Sequence, residues 1–163
     1  YLAERQIAKG KSDEIFFFFY CVTREEFAAM LVRAFVTSAE QENITFSDAV
    51  PGAWYNEYLA KAVKAGIVTG YDDGRFGIGE KITRQDMVTM LGRTAKYAGA
   101  ILENAEDETR FADDAKIADY AKESVYIMKR AEIVTGVDGE NCAPLENANR
   151  AQAAKVIFGL VNI

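Results

Sequence analysis

The amino-acid sequence predicts an all-α protein in which tandem helix-loop-helix repeats pack as a pseudo-threefold helical bundle. The first observation is internal repetition, because Ile67-Val68-Thr69-Gly70 recurs 66 residues later as Ile133-Val134-Thr135-Gly136. The second is a helix start signal found in three places, and the third is a stripe of apolar residues after each start. Three helices that cannot each bury an apolar stripe alone are expected to pack together.

The repetition divides the chain into about two and a half copies, with predicted boundaries at 1–40, 41–104 and 105–163. The first copy lacks its front half, so we take the chain as a fragment or processed form of a longer protein. Its incomplete repeat is expected to leave an apolar surface, to which the run Phe16-Phe17-Phe18-Phe19-Tyr20 contributes. Self-association through this surface is therefore a possible partner interaction.

Each complete repeat is expected to open with a short acidic segment, such as Phe46-Ser47-Asp48, followed by an amphipathic helix. The predicted helices run from Trp54 to about Ala65 and from Tyr120 to about Ala131. Trp54 is expected on the core face of the first of them. Gly66 suits the left-handed position after a helix end.

A glycine-rich loop, Gly70 to Phe76, follows with the composition of turns. The adjacent acids Asp72-Asp73 and Asp113-Asp114 are interpreted as turn formers. Glycosidase carboxylates have to face each other across a cleft, which adjacency does not provide. The acids also lack the alternation and final Glu of an EF-hand calcium loop. The sequence predicts neither an enzyme nor a cofactor.

A second helix closes each repeat, and its start resembles a capping box. Thr23, Thr83 and Asn149 are the predicted N-caps, each followed three residues later by Glu, Asp or Gln. The predicted core stripes are Phe27, Met30, Leu31, Ala34 and Phe35; Met87, Met90, Leu91 and Thr94; and Ala153, Val156, Ile157 and Leu160.

An arginine occupies the first helical position of all three second helices: Arg24, Arg84 and Arg150. A helix N-terminus presents unpaired N–H groups, and a guanidinium beside it would form a fork for a carboxylate. We expect these side chains to be exposed. The alternative is an intramolecular salt bridge from each arginine to a loop acid such as Asp72 or Asp138.

The composition excludes several classes of function. A net charge of −6, from 19 Lys and Arg against 25 Asp and Glu, argues against a nucleic-acid partner. Absence of histidine removes the commonest general base and metal ligand. Cys21 and Cys142 are interpreted as isolated buried thiols. No apolar run reaches the roughly 18 residues that a membrane span needs.

Several blocks in fixed order resemble the S-layer homology domain. They are Phe46-Ser47-Asp48, Trp54, Ala65 to Tyr71, Asp73 to Phe76, and Ile82-Thr83-Arg84-Gln85-Asp86. The last block is similar to the family's Ile-Thr-Arg-Ala-Glu signature. The third repeat departs from the pattern, with Asn149, Cys142 and Val137 in place of Thr83, Phe76 and Tyr71. The second repeat is the best match, so we expect the main site there.

The resemblance implies an extracellular module that attaches surface proteins to the bacterial cell wall or S-layer. The implied ligand is an acidic secondary cell wall polymer, often pyruvylated, or a modified peptidoglycan, bound in grooves between neighbouring repeats. A structural or oligomerisation module without glycan binding is the alternative. The motif arginines would meet the ketal carboxylate, and aromatic rings would cover sugar C–H groups. The predicted ligand-binding residues are Arg24, Arg84, Arg150, Thr83, Trp54, Gly70, Tyr71, Asp72, Tyr120 and Gly136.

Overall fold

A computed structural model describes residues 19–38, 40–100 and 110–163 of the chain. Within these ranges the backbone forms α-helices and one 3-10 turn, with no β-strand beyond isolated bridges, so the all-α class is confirmed. The helices are α1 (Arg24–Phe35), α2 (Asn56–Lys64), α3 (Arg84–Tyr97), α4 (Asp119–Arg130) and α5 (Arg150–Val161), and the 3-10 turn is Asp114–Lys116.

The second helices begin where the sequence predicts. Thr23, Thr83 and Asn149 are the N-caps, and each side chain accepts a hydrogen bond from the backbone N–H three residues on. The full capping box forms at Thr23 and Asn149. Most predicted stripe residues are buried, and Ala34 and Phe35 are partly buried against the core.

A closed ring of backbone hydrogen bonds joins the three segments that precede α1, α3 and α5. The N–H of Val22 donates to the carbonyl of Ala148 (3.0 Å), that of Ala148 to Ile82 (2.9 Å), and that of Ile82 to Val22 (2.9 Å). All three residues are fully buried. Each of α1, α3 and α5 also contacts the other two. The ring links the three segments in turn, while the threefold packing of complete repeats stays a prediction.

Opening helices pack across repeat boundaries rather than within a repeat. α2, from the predicted second repeat, lies against α1, and α4, from the third, lies against α3. Among the described helices, α2 has no comparable contact with α3, nor α4 with α5. Each helical pair therefore combines the second helix of one repeat with the opening helix of the next.

Two expectations about individual side chains need correction. Trp54 precedes α2 and is 55 % exposed, resting on the rings of Tyr55 and Tyr58, so the core position predicted for it is wrong. The thiols of Cys21 and Cys142 are free, but only Cys142 is buried. Phe19 is 90 % exposed and Tyr20 is 58 % exposed, whereas residues 16–18 of the predicted apolar run lie outside the described residues.

The residue after each opening helix adopts a left-handed backbone. Gly66 does so at φ 69°, as the sequence predicts, but the equivalent residue of the third repeat is Glu132, at φ 56°. A side chain at such a position costs about 1 kcal/mol or more, which glycine avoids.

We expect Glu132→Gly to raise the free energy of unfolding by about 1 kcal/mol, because it removes this backbone strain. For a chain of this size the melting temperature should rise by about 2–4 °C. Glu132→Ala is the control, since it removes the same charge but keeps the strained Cβ. An equal gain in both variants, measured by urea and thermal unfolding, would show that the charge and not the backbone is responsible.

Candidate functional site

The three motif arginines are buried, contrary to the exposed position expected for a first helical residue. Arg24 and Arg84 are each 5 % exposed and Arg150 is 4 % exposed. The cause is the preceding segment of the neighbouring repeat, which covers each helix start. The backbone N–H groups of Arg24, Arg84 and Arg150 donate to the carbonyls of Glu80, Glu146 and Tyr20, respectively.

The helix end itself is not available to an anion at α3. The N–H of Arg84 donates to Glu146, that of Gln85 to the carbonyl of Pro144, and that of Asp86 to the hydroxyl of Thr83. These bonds satisfy the donors that a free helix N-terminus would offer. At α3 the predicted combination of helix end and guanidinium is therefore wrong in its first half, and the guanidinium is the part that can meet a ligand there.

Arg24 is held rigidly at the floor of a groove. Its Nε donates to the carbonyl of Phe76 at 2.9 Å, and its Nη1 pairs with the carboxylate of Asp86 at 2.8 Å. The guanidinium lies 4.4 Å from the centre of the Tyr71 ring, within cation–π range. Nη2 has no partner within the described part of the chain and remains for a ligand.

The ion pair of Arg24 differs from the salt bridge considered as an alternative, because its partner is Asp86 and not the loop acid Asp72. Asp86 also accepts a hydrogen bond from the Tyr120 hydroxyl at 2.6 Å. With its carboxylate engaged there, Asp86 does not complete the capping box at Thr83. Burial and the bond to Asp86 both raise the pKa of Tyr120, which keeps its hydroxyl protonated as a donor.

The groove around Arg24 has a volume of about 400 Å³ and draws residues from all three predicted repeats. The first repeat supplies Arg24, the loop of the second supplies Gly70, Tyr71 and Asp72, and the third supplies Tyr120. Tyr120 is 57 % exposed and Tyr71 is 36 % exposed. Two aromatic faces and a buried guanidinium thus converge on one open space, which lies within the usual size range of small-ligand sites.

A second, smaller groove of about 140 Å³ repeats this plan around Arg84 and the loop that holds Gly136. Arg84 Nε donates to the carbonyl of Cys142 at 2.7 Å, as Arg24 does to the equivalent Phe76. Val137 occupies the place of Tyr71, so the arginine is not stacked on an aromatic ring there. Within the described residues Arg84 has no ion pair, and burial lowers its pKa from the usual value.

The expected main site of the second repeat is thereby divided between two grooves. Gly70, Tyr71 and Asp72 lie with Arg24, whereas Arg84 lies with Gly136. Thr83 serves as the N-cap of α3. Neither groove includes Trp54 or Arg150.

The carboxylate of Asp48 holds the end of the loop that carries Tyr71 and Phe76. Asp48 accepts hydrogen bonds from the N–H groups of Phe76, Gly77 and Ile78, each at 2.8 Å. Burial opposes ionisation, but these bonds outweigh it and hold the pKa of Asp48 below its usual value. Asp113 does the same for the N–H groups of Cys142 and Ala143 in the third repeat.

Two further cations, which are not among the predicted ligand-binding residues, line the grooves. Arg93 donates to the Thr69 hydroxyl at 3.4 Å in the larger groove, and Lys155 donates to the equivalent Thr135 at 3.0 Å in the smaller one. Arg93 lies 60 residues after Arg33, the offset that also separates Arg24 from Arg84, so the repeat pattern was an available signal for it. Lys155 occupies a different position on its helix, and the repeated threonine was the available signal there.

In the part of the chain that the structure describes, no three acidic, cysteine or histidine side chains cluster in a way that could hold a metal ion. Within the same residues, no helix has both the length and the apolar character needed to cross a bilayer.

The S-layer homology domain profile matches residues 45–88 and 110–154. The chain belongs to the S-layer homology domain family. It is 35 % identical over 160 residues, or 98 % of its length, to an amylopullulanase of Thermoanaerobacterium thermosulfurigenes, and 34 % identical over the same share to exoglucanase XynX of Acetivibrio thermocellus. The S-layer protein sap of Bacillus anthracis is 28 % identical over 158 residues, or 96 % of the chain.

The chain spans only 8, 15 and 19 % of these three relatives, respectively. It therefore corresponds to the S-layer homology region of the two enzymes and is a non-catalytic domain. Membership in the family, together with the S-layer relatives, places it at the cell surface as a wall-associated anchoring domain.

Proposed function

We propose that the domain anchors its parent protein by binding an acidic polymer of the cell wall in the Arg24 groove, with the Arg84 groove as a second, smaller site. The observation that carries this proposal is the convergence of Arg24, Tyr71 and Tyr120 on one open groove. A carboxylate, such as that of a pyruvate ketal, would bond to Nη2 of Arg24. The faces of the two tyrosines would cover sugar C–H groups.

Preorganisation supports this assignment. The guanidinium of Arg24 is fixed by Phe76, Asp86 and the Tyr71 ring, so little side-chain entropy remains to be lost when a ligand binds. The groove carries two cations, Arg24 and Arg93, and two acids, Asp72 and Asp86, so its charges balance. These local cations matter because the chain as a whole is acidic, with a net charge of −6.

A structural role without glycan binding is the second candidate, and the exposure of Phe19 and Tyr20 favours it. In that case the domain would assemble with other chains of a surface layer. Both functions are compatible with the family. They differ in the partner, which is a cell-wall glycan in the first case and other protein chains in the second.

Co-sedimentation with purified bacterial cell walls separates the two candidates. We expect the domain to pellet with walls at physiological salt, and rising salt to weaken this retention only in part, because the guanidinium of Arg24 is buried and buried charge pairs are screened less than exposed ones. An oligomerisation domain would stay in the supernatant and show a concentration-dependent mass. Failure to pellet with walls that carry acidic polymer would contradict the proposed function.

A further inference from the structure

A crevice between α3 and α4 continues the Arg24 groove. It has a volume of about 480 Å³, and it shares Thr89, Arg93 and Tyr120 with that groove. The two spaces therefore form one path along α3, with Tyr120 and Arg93 at the point where they meet. None of the residues that hold the Arg24 guanidinium, namely Phe76, Asp86 and Tyr71, lines this crevice.

The floor of the crevice is formed where the two helices approach closely. A Cβ added to Gly92 would lie 2.5 Å from the Ser124 hydroxyl oxygen and 3.4 Å from its Cα, so no side chain separates the helices there. The floor consequently offers a hydroxyl group and an apolar wall from Ile127. Such a combination suits a sugar ring, which has hydroxyls on its rim and C–H groups on its faces.

The walls of the crevice carry Arg93 and Lys96 from α3, opposite Glu123 from α4. Neither cation has an ion pair among the residues that the structure describes, and Glu123 has none there either. The lining of the crevice therefore carries one net positive charge, although the chain as a whole has a net charge of −6. An anionic substituent on a sugar in the crevice would meet both cations.

We propose that this crevice is a second sugar subsite. Through Lys96 and Arg93 it binds the sugar unit that follows the one held by Arg24 in the glycan. The proposal rests on the proposed function and adds that the domain recognises at least two consecutive units of an acidic glycan. Tyr120 would then contact both units, one at each side of its ring.

The test uses acidic polysaccharide released from purified cell walls and separated into one-unit and longer fragments, titrated calorimetrically. We expect longer fragments to bind the parent domain at least about tenfold more tightly than one-unit fragments. Lys96→Glu should lose about tenfold for longer fragments and less than about twofold for one-unit fragments. Lys64→Glu is the control, because it reverses the charge of a lysine in the last turn of α2, outside both grooves.

Equal affinities of the parent domain for short and long fragments would overturn the second subsite, as would equal losses in the two lysine variants. Either result leaves the Arg24 groove intact. If the parent domain binds no fragment of any length, both the proposed function and the subsite are wrong. Circular dichroism melts of both variants confirm that the comparison is made on folded protein.

Discussion

Replacement of Arg24 by alanine is expected to impair both folding stability and wall binding. The change leaves the Asp86 carboxylate, which is 16 % exposed, without its cation and the Phe76 carbonyl without its donor. Breaking a buried ion pair by removing one partner costs about 3–5 kcal/mol. Wall affinity per folded molecule should fall at least about tenfold, because the ligand carboxylate loses its guanidinium.

A second substitution separates the two effects of Arg24. Arg24→Lys keeps the positive charge beside Asp86, but an ammonium group cannot hold the Phe76 carbonyl, Asp86 and a ligand in one plane. We expect it to recover part of the stability and little of the binding. Urea unfolding and wall co-sedimentation below the melting temperature measure the two quantities. Parent-like binding by folded Arg24→Ala would show that the guanidinium holds the fold and not the ligand.

The second large effect is expected at Asp48, for which the sequence predicts only a place in the short acidic segment that opens the second repeat. Asp48→Ala leaves the N–H groups of Phe76, Gly77 and Ile78 without their acceptor. At about 1 kcal/mol or more for each lost bond, unfolding should become easier by about 3 kcal/mol. Asp72→Ala is the matched control. It removes a carboxylate from the loop that Asp48 holds, and it should change the free energy of unfolding by less than about 0.5 kcal/mol.

Asp48 also gives a pH dependence of defined sign. Because its pKa is lower in the folded protein than the ordinary value of 3.8, its contribution to stability is fully present above that value. The contribution is lost as pH falls through the lower, folded pKa. We expect the parent to lose stability below about pH 4 more steeply than Asp48→Asn does. Identical acid unfolding of the two proteins would contradict this role.

Much of the local structure followed from sequence because its signals are local. The caps at Thr23, Thr83 and Asn149 each involve a residue three positions on, and the core stripes repeat at helical spacing. The left-handed glycine at Gly66 is another short-range feature. Such patterns depend on how a segment folds on itself, so the sequence predicts them.

The composition of the grooves could not be predicted in the same way, because it depends on packing between repeats. Arg24 meets Phe76, which lies 52 residues later, and Tyr120 reaches Asp86 across 34 residues. The burial of the arginines has the same origin, since neighbouring repeats cover the helix starts. Trp54 was misplaced because helical periodicity was extended two residues before α2 begins at Asn56.

The anchoring of the domain by an acidic wall polymer, held in the arginine grooves, is tested by co-sedimentation of the parent domain with one wall preparation, divided and compared before and after removal of its pyruvate ketals by mild acid. If the ketal carboxylate is the group that Arg24 binds, the untreated walls should retain the domain and the treated walls should release it. Equal retention by both preparations would contradict recognition of the ketal, and no retention by either would contradict wall binding itself.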